Sequence, residues 1–218
     1  MRFAIFVYDG IESIDIGATY GVLSMAKRIA PTIEMFVVAP RLGIIACANG
    51  LGIVANHDLT SCPAADVLIV CGGPGWKAQA EDDQTLAFLR RSAQTATIIA
   101  SVCTGGMILA ASGLLDGLQA TTKREIVGEE RSPLRVMQDR YPAIEAVEAR
   151  LVDEGAIVTG GGVSLAIDTT LHLLARCFDE AVANETARII EYTSAWRANQ
   201  DAFKANVKAT DQRSTALR

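Results

Sequence analysis

The chain has 218 residues, 50% of them apolar and 21% charged, with a formal net charge of −5. That length suffices for one well-packed α/β domain, and an acidic balance without a Lys/Arg cluster offers no basic face to nucleic acid. No apolar run reaches membrane-spanning length and no leader-like segment precedes the first strand pattern, so a soluble, cytoplasmic protein with a small-molecule partner is expected.

Short apolar runs alternate with segments of helical period, the pattern of βαβ units and of a parallel sheet. Residues 2–8 read as the first strand, 14–29 as a helix ended by Pro31, and 33–39 as the second strand. Asn49-Gly50, set between two apolar arms over 44–54, predicts a β-hairpin. A buried-looking strand over 66–71 runs into Gly72-Gly-Pro-Gly75, and a helix follows over 82–94. The stretch 97–113 then reads as a strand, Cys103, and a helix of small residues. A short segment over 118–122 leads into a charged helix that should stop near Tyr141-Pro142. Within it, Lys123 to Arg131 mixes signs and reads as a solvated helix face. Two late strands, 146–152 and 156–159, flank Asp153-Glu-Gly155; Gly160-Gly-Gly162 opens a helix over 164–177, and Asp179 caps another running toward Tyr192. Residues 1–195 are therefore expected to form a single domain, with 196–218 as a C-terminal extension whose last residues fray.

Cys103 stands where a strand should turn sharply into a helix. Ser101-Val-Cys-Thr-Gly105 is compact at both flanking positions, as a nucleophile elbow requires. Helix-start N–H groups and the helix dipole favour a thiolate there, so a lowered pKa is expected; the alternative is a small core residue. Cys47, Cys62, Cys71 and Cys177 read as ordinary buried thiols, and five unframed cysteines suit a reducing compartment. Gly72 and Gly73 could turn bare N–H groups to the site and, with the N–H of Thr104, hold developing negative charge; a plain turn is the other reading.

A nucleophile needs a proton-handling partner. His57 follows the hairpin, and His172 lies four residues after Asp168, a spacing that suggests a local structural contact between the two. The carboxylates near the first strand's carboxyl end, Asp9, Glu12 and Asp15, are better placed, and the strongest case is Asp15. It sits among apolar neighbours in Ile14-Asp-Ile-Gly-Ala18, where burial would raise its pKa and let it carry a proton; otherwise it is a helix-cap or first-turn acid. The two histidines and five cysteines show no metal-ligand spacing, so no metal is expected.

Taken as a set, Gly72-Gly-Pro-Gly75, Cys103-Thr-Gly105, Ala120-Thr-Thr122 and Gly160-Gly-Gly-Val-Ser-Leu-Ala-Ile-Asp168 resemble the ThiJ/PfpI superfamily, with its class I glutamine-amidotransferase-like fold. Ile14-Asp-Ile-Gly-Ala-Thr-Tyr-Gly-Val-Leu23 ahead of the cysteine is most similar to the isonitrile hydratase branch. The resemblance implies a flavodoxin-like, doubly wound, mostly parallel sheet with helices on both faces plus a small hairpin, and a homodimer. It further implies Cys103 as nucleophile, Asp15 as acid/base partner, Thr104 at the catalytic turn, and conversion of an isonitrile to an N-substituted formamide without cofactors. Two departures stand out. Lys123 occupies a position that is histidine in many relatives, and Tyr192-Thr-Ser-Ala-Trp196 replaces a Pro-Pro-Phe element. Rival readings are a ligand-sensing domain like those of AraC-type regulators, glyoxalase or deglycase activity, and redox sensing through the thiol.

Overall fold

A computed structural model describes residues 1–203 and 205–208 of the chain. Its strands are β1 (Arg2–Phe6), β2 (Glu34–Ala39), β3 (Gly43–Ala46), β4 (Gly52–Ala55), β5 (His57–Asp58), β6 (Val67–Val70), β7 (Ile98–Ser101), β8 (Gln119–Ala120), β9 (Glu145–Ala146), β10 (Leu151–Asp153), β11 (Ile157–Gly160) and β12 (Ala205–Val207). The α-helices are α1 (Ser13–Ala26), α2 (Trp76–Glu81), α3 (Asp83–Ser92), α4 (Gly105–Ala111), α5 (Pro133–Arg140), α6 (Leu165–Cys177), α7 (Glu180–Ile189) and α8 (Thr193–Ala202).

Eight strands form the central sheet in the order β12-β10-β11-β7-β6-β1-β2-β5, parallel throughout except for the antiparallel step between β10 and β11. Each central strand is buried on both faces, as its continuous apolar sequence requires. Alternate residues of β1 show the division: Phe3 and Ile5 pack into one core with Leu23, Leu171, Leu174 and Ala187, whereas Ala4 and Phe6 pack into the other with Phe88, Leu89, Ile108 and Met137. The flavodoxin-like expectation is met, with helices on both faces and β3 paired antiparallel to β4 in the small hairpin. At the hairpin tip Asn49 and Gly50 both take positive φ, 66° and 94°, as the Asn-Gly signal predicts.

Two expectations are corrected. The charged run Lys123 to Arg131 is not helical; helix begins only at Pro133, whose ring presets φ at the first position of α5. Ile126 and Val127 are exposed there, so the run has no apolar stripe that a helix could bury. The boundary at 195 also falls inside α8. Trp196 is buried in the first core, and β12 extends the sheet by pairing in parallel with β10. The expected fraying of the last residues concerns 209–218, outside the described residues. Among the described residues, no helix is long and apolar enough to cross a membrane.

The chain leaves β1 to form β2 on one side and then β6 on the other, so strand order reverses at β1. Side chains following the carboxyl ends of β1, β6 and β7 converge at such a reversal.

Candidate active site

After β7 the chain turns through Val102 and Cys103 into α4. Val102 N–H donates to Val70 O (3.0 Å), Cys103 N–H to Gly161 O (2.9 Å), and Cys103 O accepts from Thr122 Oγ1 (2.7 Å). These bonds hold Cys103 at φ 52°, a left-handed conformation that costs a residue with a β-carbon about 1–2 kcal/mol. They also give the Ala-Thr-Thr and Gly-Gly-Gly motifs a shared role, since both anchor the cysteine turn. Gly72 lies against that turn. A Cβ there would stand 2.4 Å from Thr104 N and 2.8 Å from Cys103 Cβ, so no other residue type fits without displacing Cys103.

The N–H groups of Gly72 and Gly73 do not face the site as expected. Gly72 N–H donates to Asp15 Oδ2 at 2.9 Å, and Gly73 N–H to Thr104 Oγ1 at 2.8 Å. Buried N–H groups take an acceptor when one is in reach, and here both do. The two glycines thus position Asp15 and Thr104. The N–H groups that favour ionisation of the Cys103 sulfur belong to Thr104 and Val163. Val163 is the site residue that sequence reasoning missed. It also takes positive φ, 49°, and the glycine run just before it was the available signal.

Asp15 is in the first turn of α1, capped by Glu12, whose side chain accepts from Ile14 N–H. It has no exposed surface, and only one of its oxygens, Oδ2, is hydrogen-bonded within the usual limits; Oδ1 has no partner among the described residues. Its pKa rises from 3.8 to about 7, chiefly because burial disfavours the charged form, with a smaller push from the Glu12 charge. Gly72 N–H, the Cys103 thiol and the Lys123 ammonium oppose that rise.

The expected thiolate is not what burial allows. Cys103 is 2% exposed, and desolvation together with the adjacent Asp15 charge pushes its pKa up to about 12. The N–H groups of Val163 and Thr104 pull the other way and lose. At neutral pH burial keeps Cys103 as a thiol, beside a carboxyl whose own pKa burial has raised toward neutrality.

Cys103 and Thr104 line a cleft of about 620 Å³ whose walls include Glu12, Trp76, Lys123 and Val163. Neither histidine takes part. His57 packs edge-on against the Phe36 ring. His172 Nε2 meets Asp153 Oδ2 at 2.7 Å rather than Asp168, which correspondingly binds Arg150, Tyr192 and Asn199. The expected local contact between Asp168 and His172 is therefore corrected: β10 offers His172 a closer acid than its own helix does. Among the described residues no group of three or more His, Cys, Asp or Glu side chains is placed to hold a metal ion.

A mostly parallel sheet that presents a positive-φ cysteine at a strand-to-helix turn, next to a buried carboxyl, defines an α/β protein of the cysteine-elbow type. The chain belongs to the DJ-1/PfpI family, which matches residues 1–176. Isonitrile hydratase from Pseudomonas putida is 31% identical over 193 residues, covering 88% of this chain and 76% of that protein. The HTH-type transcriptional regulator GbdR from Pseudomonas aeruginosa is 32% identical over 131 residues, 59% of this chain but 33% of the regulator. Among solved structures, a ThiJ/PfpI family protein from Pseudomonas syringae superposes with a TM-score of 0.76 at 30% identity, covering 88% of this chain and 74% of that one.

Proposed function

We propose that the protein hydrates isonitriles to N-substituted formamides, with Cys103 as nucleophile and Asp15 as proton carrier. The observation that supports this most is the buried Asp15 carboxyl, held by Gly72 N–H and coupled electrostatically to a thiol at the cleft. An isonitrile carbon must gain both a proton and a heteroatom, so it needs a donor and a nucleophile on one atom.

In the first step Asp15, as carboxylate, takes the thiol proton while sulfur bonds to the terminal carbon. The same proton passes to that carbon, giving the thioimidate R–N=CH–S–Cys103 and restoring the carboxylate. Thr104 and Val163 N–H groups stabilise negative charge on sulfur during the transfer. Asp15 next removes a proton from water as its oxygen adds to the carbon, and nitrogen takes that proton. The resulting R–NH–CH(OH)–S–Cys103 collapses: the C–S bond breaks, the hydroxyl proton returns to sulfur through Asp15, and R–NH–CHO leaves. One water is consumed and the enzyme is unchanged.

Incubation with cyclohexyl isonitrile, with the formamide followed by mass spectrometry, tests the reading. Turnover in the unmodified protein and none in Cys103→Ala is expected. No turnover in the unmodified protein removes the hydratase function, and equal turnover in the variant removes the mechanism. A sensing role without chemistry is the second reading, favoured by the similarity to GbdR and by a thiol that burial keeps protonated; binding of an isonitrile without turnover is its signature.

A further inference from the structure

The cleft that Cys103 lines is far larger than an isonitrile group needs, and at about 620 Å³ it falls within the range of pockets that take whole metabolite-sized ligands. Its lining carries four cationic side chains, Lys77, Lys123, Arg131 and Arg140, against two carboxylates, Glu12 and Glu130. That excess of positive charge stands out in a chain whose formal net charge is −5.

The six charges are not equally free. Arg131 is paired with Asp139, and Glu12 is engaged as the cap of α1, accepting from Ser13 Oγ and Ile14 N–H. Among the described residues, no carboxylate lies within ion-pair distance of Lys77, Lys123 or Arg140. Lys77 and Arg140 instead lie near the aromatic rings of Trp76 and Tyr141, an arrangement that leaves their N–H donors available. Lys123 is the deepest of the three: it is half-buried, would touch any Cβ at Gly162, and its charge reaches Asp15. Trp76, Pro133 and Val136 add apolar wall to the same cleft.

We propose that the substrate is an isonitrile bearing a carboxylate at the end of a short apolar spacer, with its anion held by Lys77, Lys123 and Arg140. This rests on the isonitrile hydratase reading for the reactive end, while the charged end is argued from the cleft alone. A cleft whose unpaired side chains are three cations against one carboxylate, Glu130, concentrates anionic ligands and orients them on entry. The anion at the cationic wall directs the isonitrile carbon toward Cys103, and 4-isocyanobutanoate plus water gives 4-formamidobutanoate.

The experiment compares kcat/KM for 4-isocyanobutanoate with that for its neutral isostere, 4-isocyanobutanamide, at low and high ionic strength. The acid is expected to win by about tenfold at low salt, from two or three modest ion pairs, and the advantage shrinks as salt screens them. In the double variant Lys77→Gln/Arg140→Gln the ratio falls toward one. Equal or better use of the amide by the unmodified protein overturns the proposal. If neither compound is turned over, the hydratase reading fails and the charged end is judged by calorimetric affinity for 4-formamidobutanoate against 4-formamidobutanamide. A salt-sensitive preference for the anion then upholds the site without the reaction, and equal affinities overturn it.

Discussion

Replacing Asp15 by Asn separates stability from catalysis. The carboxyl has a pKa of about 7 in the folded protein against an ordinary value of 3.8. An acid whose folded pKa is raised binds its proton more tightly in the folded state, so stability falls as pH rises from about 4 to about 7 and stays low above that. The displacement corresponds to about 4 kcal/mol of folding free energy withheld at pH 8. Asn keeps an oxygen for Gly72 N–H and carries no charge, so Asp15→Asn should be more stable than the unmodified protein at pH 8, by up to about 4 kcal/mol. That gain should vanish near pH 4, where the native carboxyl is also neutral. Isonitrile hydration should meanwhile fall by about 10²–10⁴-fold, because amide nitrogen cannot carry the proton. Urea denaturation at pH 4, 6 and 8, alongside formamide formation, reads both effects. A variant that is less stable at pH 8, or whose stability difference does not change with pH, refutes the account of a carboxyl strained by burial.

Initial hydration rates of the unmodified protein should rise with pH through about 7, as Asp15 ionises and becomes able to accept the thiol proton; rates that fall across this range would mean that the protonated acid is the working form. Gly72→Ala forces a Cβ to within 2.4 Å of Thr104 N, so it should cost about 1–3 kcal/mol in urea denaturation and displace Cys103 enough to abolish measurable turnover. Because residue 103 sits at φ 52°, Cys103→Gly should be about 1 kcal/mol more stable than Cys103→Ala in thermal or urea melts, the reverse of the order on an ordinary helix. Arg150→Ala strips the buried Asp168 of its cation and should destabilise by about 3 kcal/mol at pH 8 and by less at pH 5, where Asp168 is more readily protonated.

Much of the fold was legible because its signals are local. The apolar runs at 2–8, 33–39 and 66–71, the Asn49-Gly50 tip and the Asp179 cap each depend on neighbours in sequence, and each marks its element. The junction holding Cys103 was legible for the same reason, since small residues on both sides of one cysteine serve a sharp turn. What depended on distant contacts was not. The state of the thiol is decided by burial and by Asp15, which is 88 positions away, and these outweigh the N–H groups at the helix start. Asp153, which takes His172 from Asp168, lies on another element and has no periodic relation to it. The place of Trp196 and β12 in the fold likewise depends on tertiary packing, because the polar composition of the segment hides its few apolar anchors. Val163 acts through its backbone, and a backbone donor leaves no mark in the identity of its own side chain.

The outermost strands of the central sheet are β5, with two residues, and β12, with three. Unsatisfied edge groups are what a second unfolded or misfolded chain recruits when it adds itself as a further strand, and such templates need length to hold register. Margins this short give a newcomer too few rungs to climb.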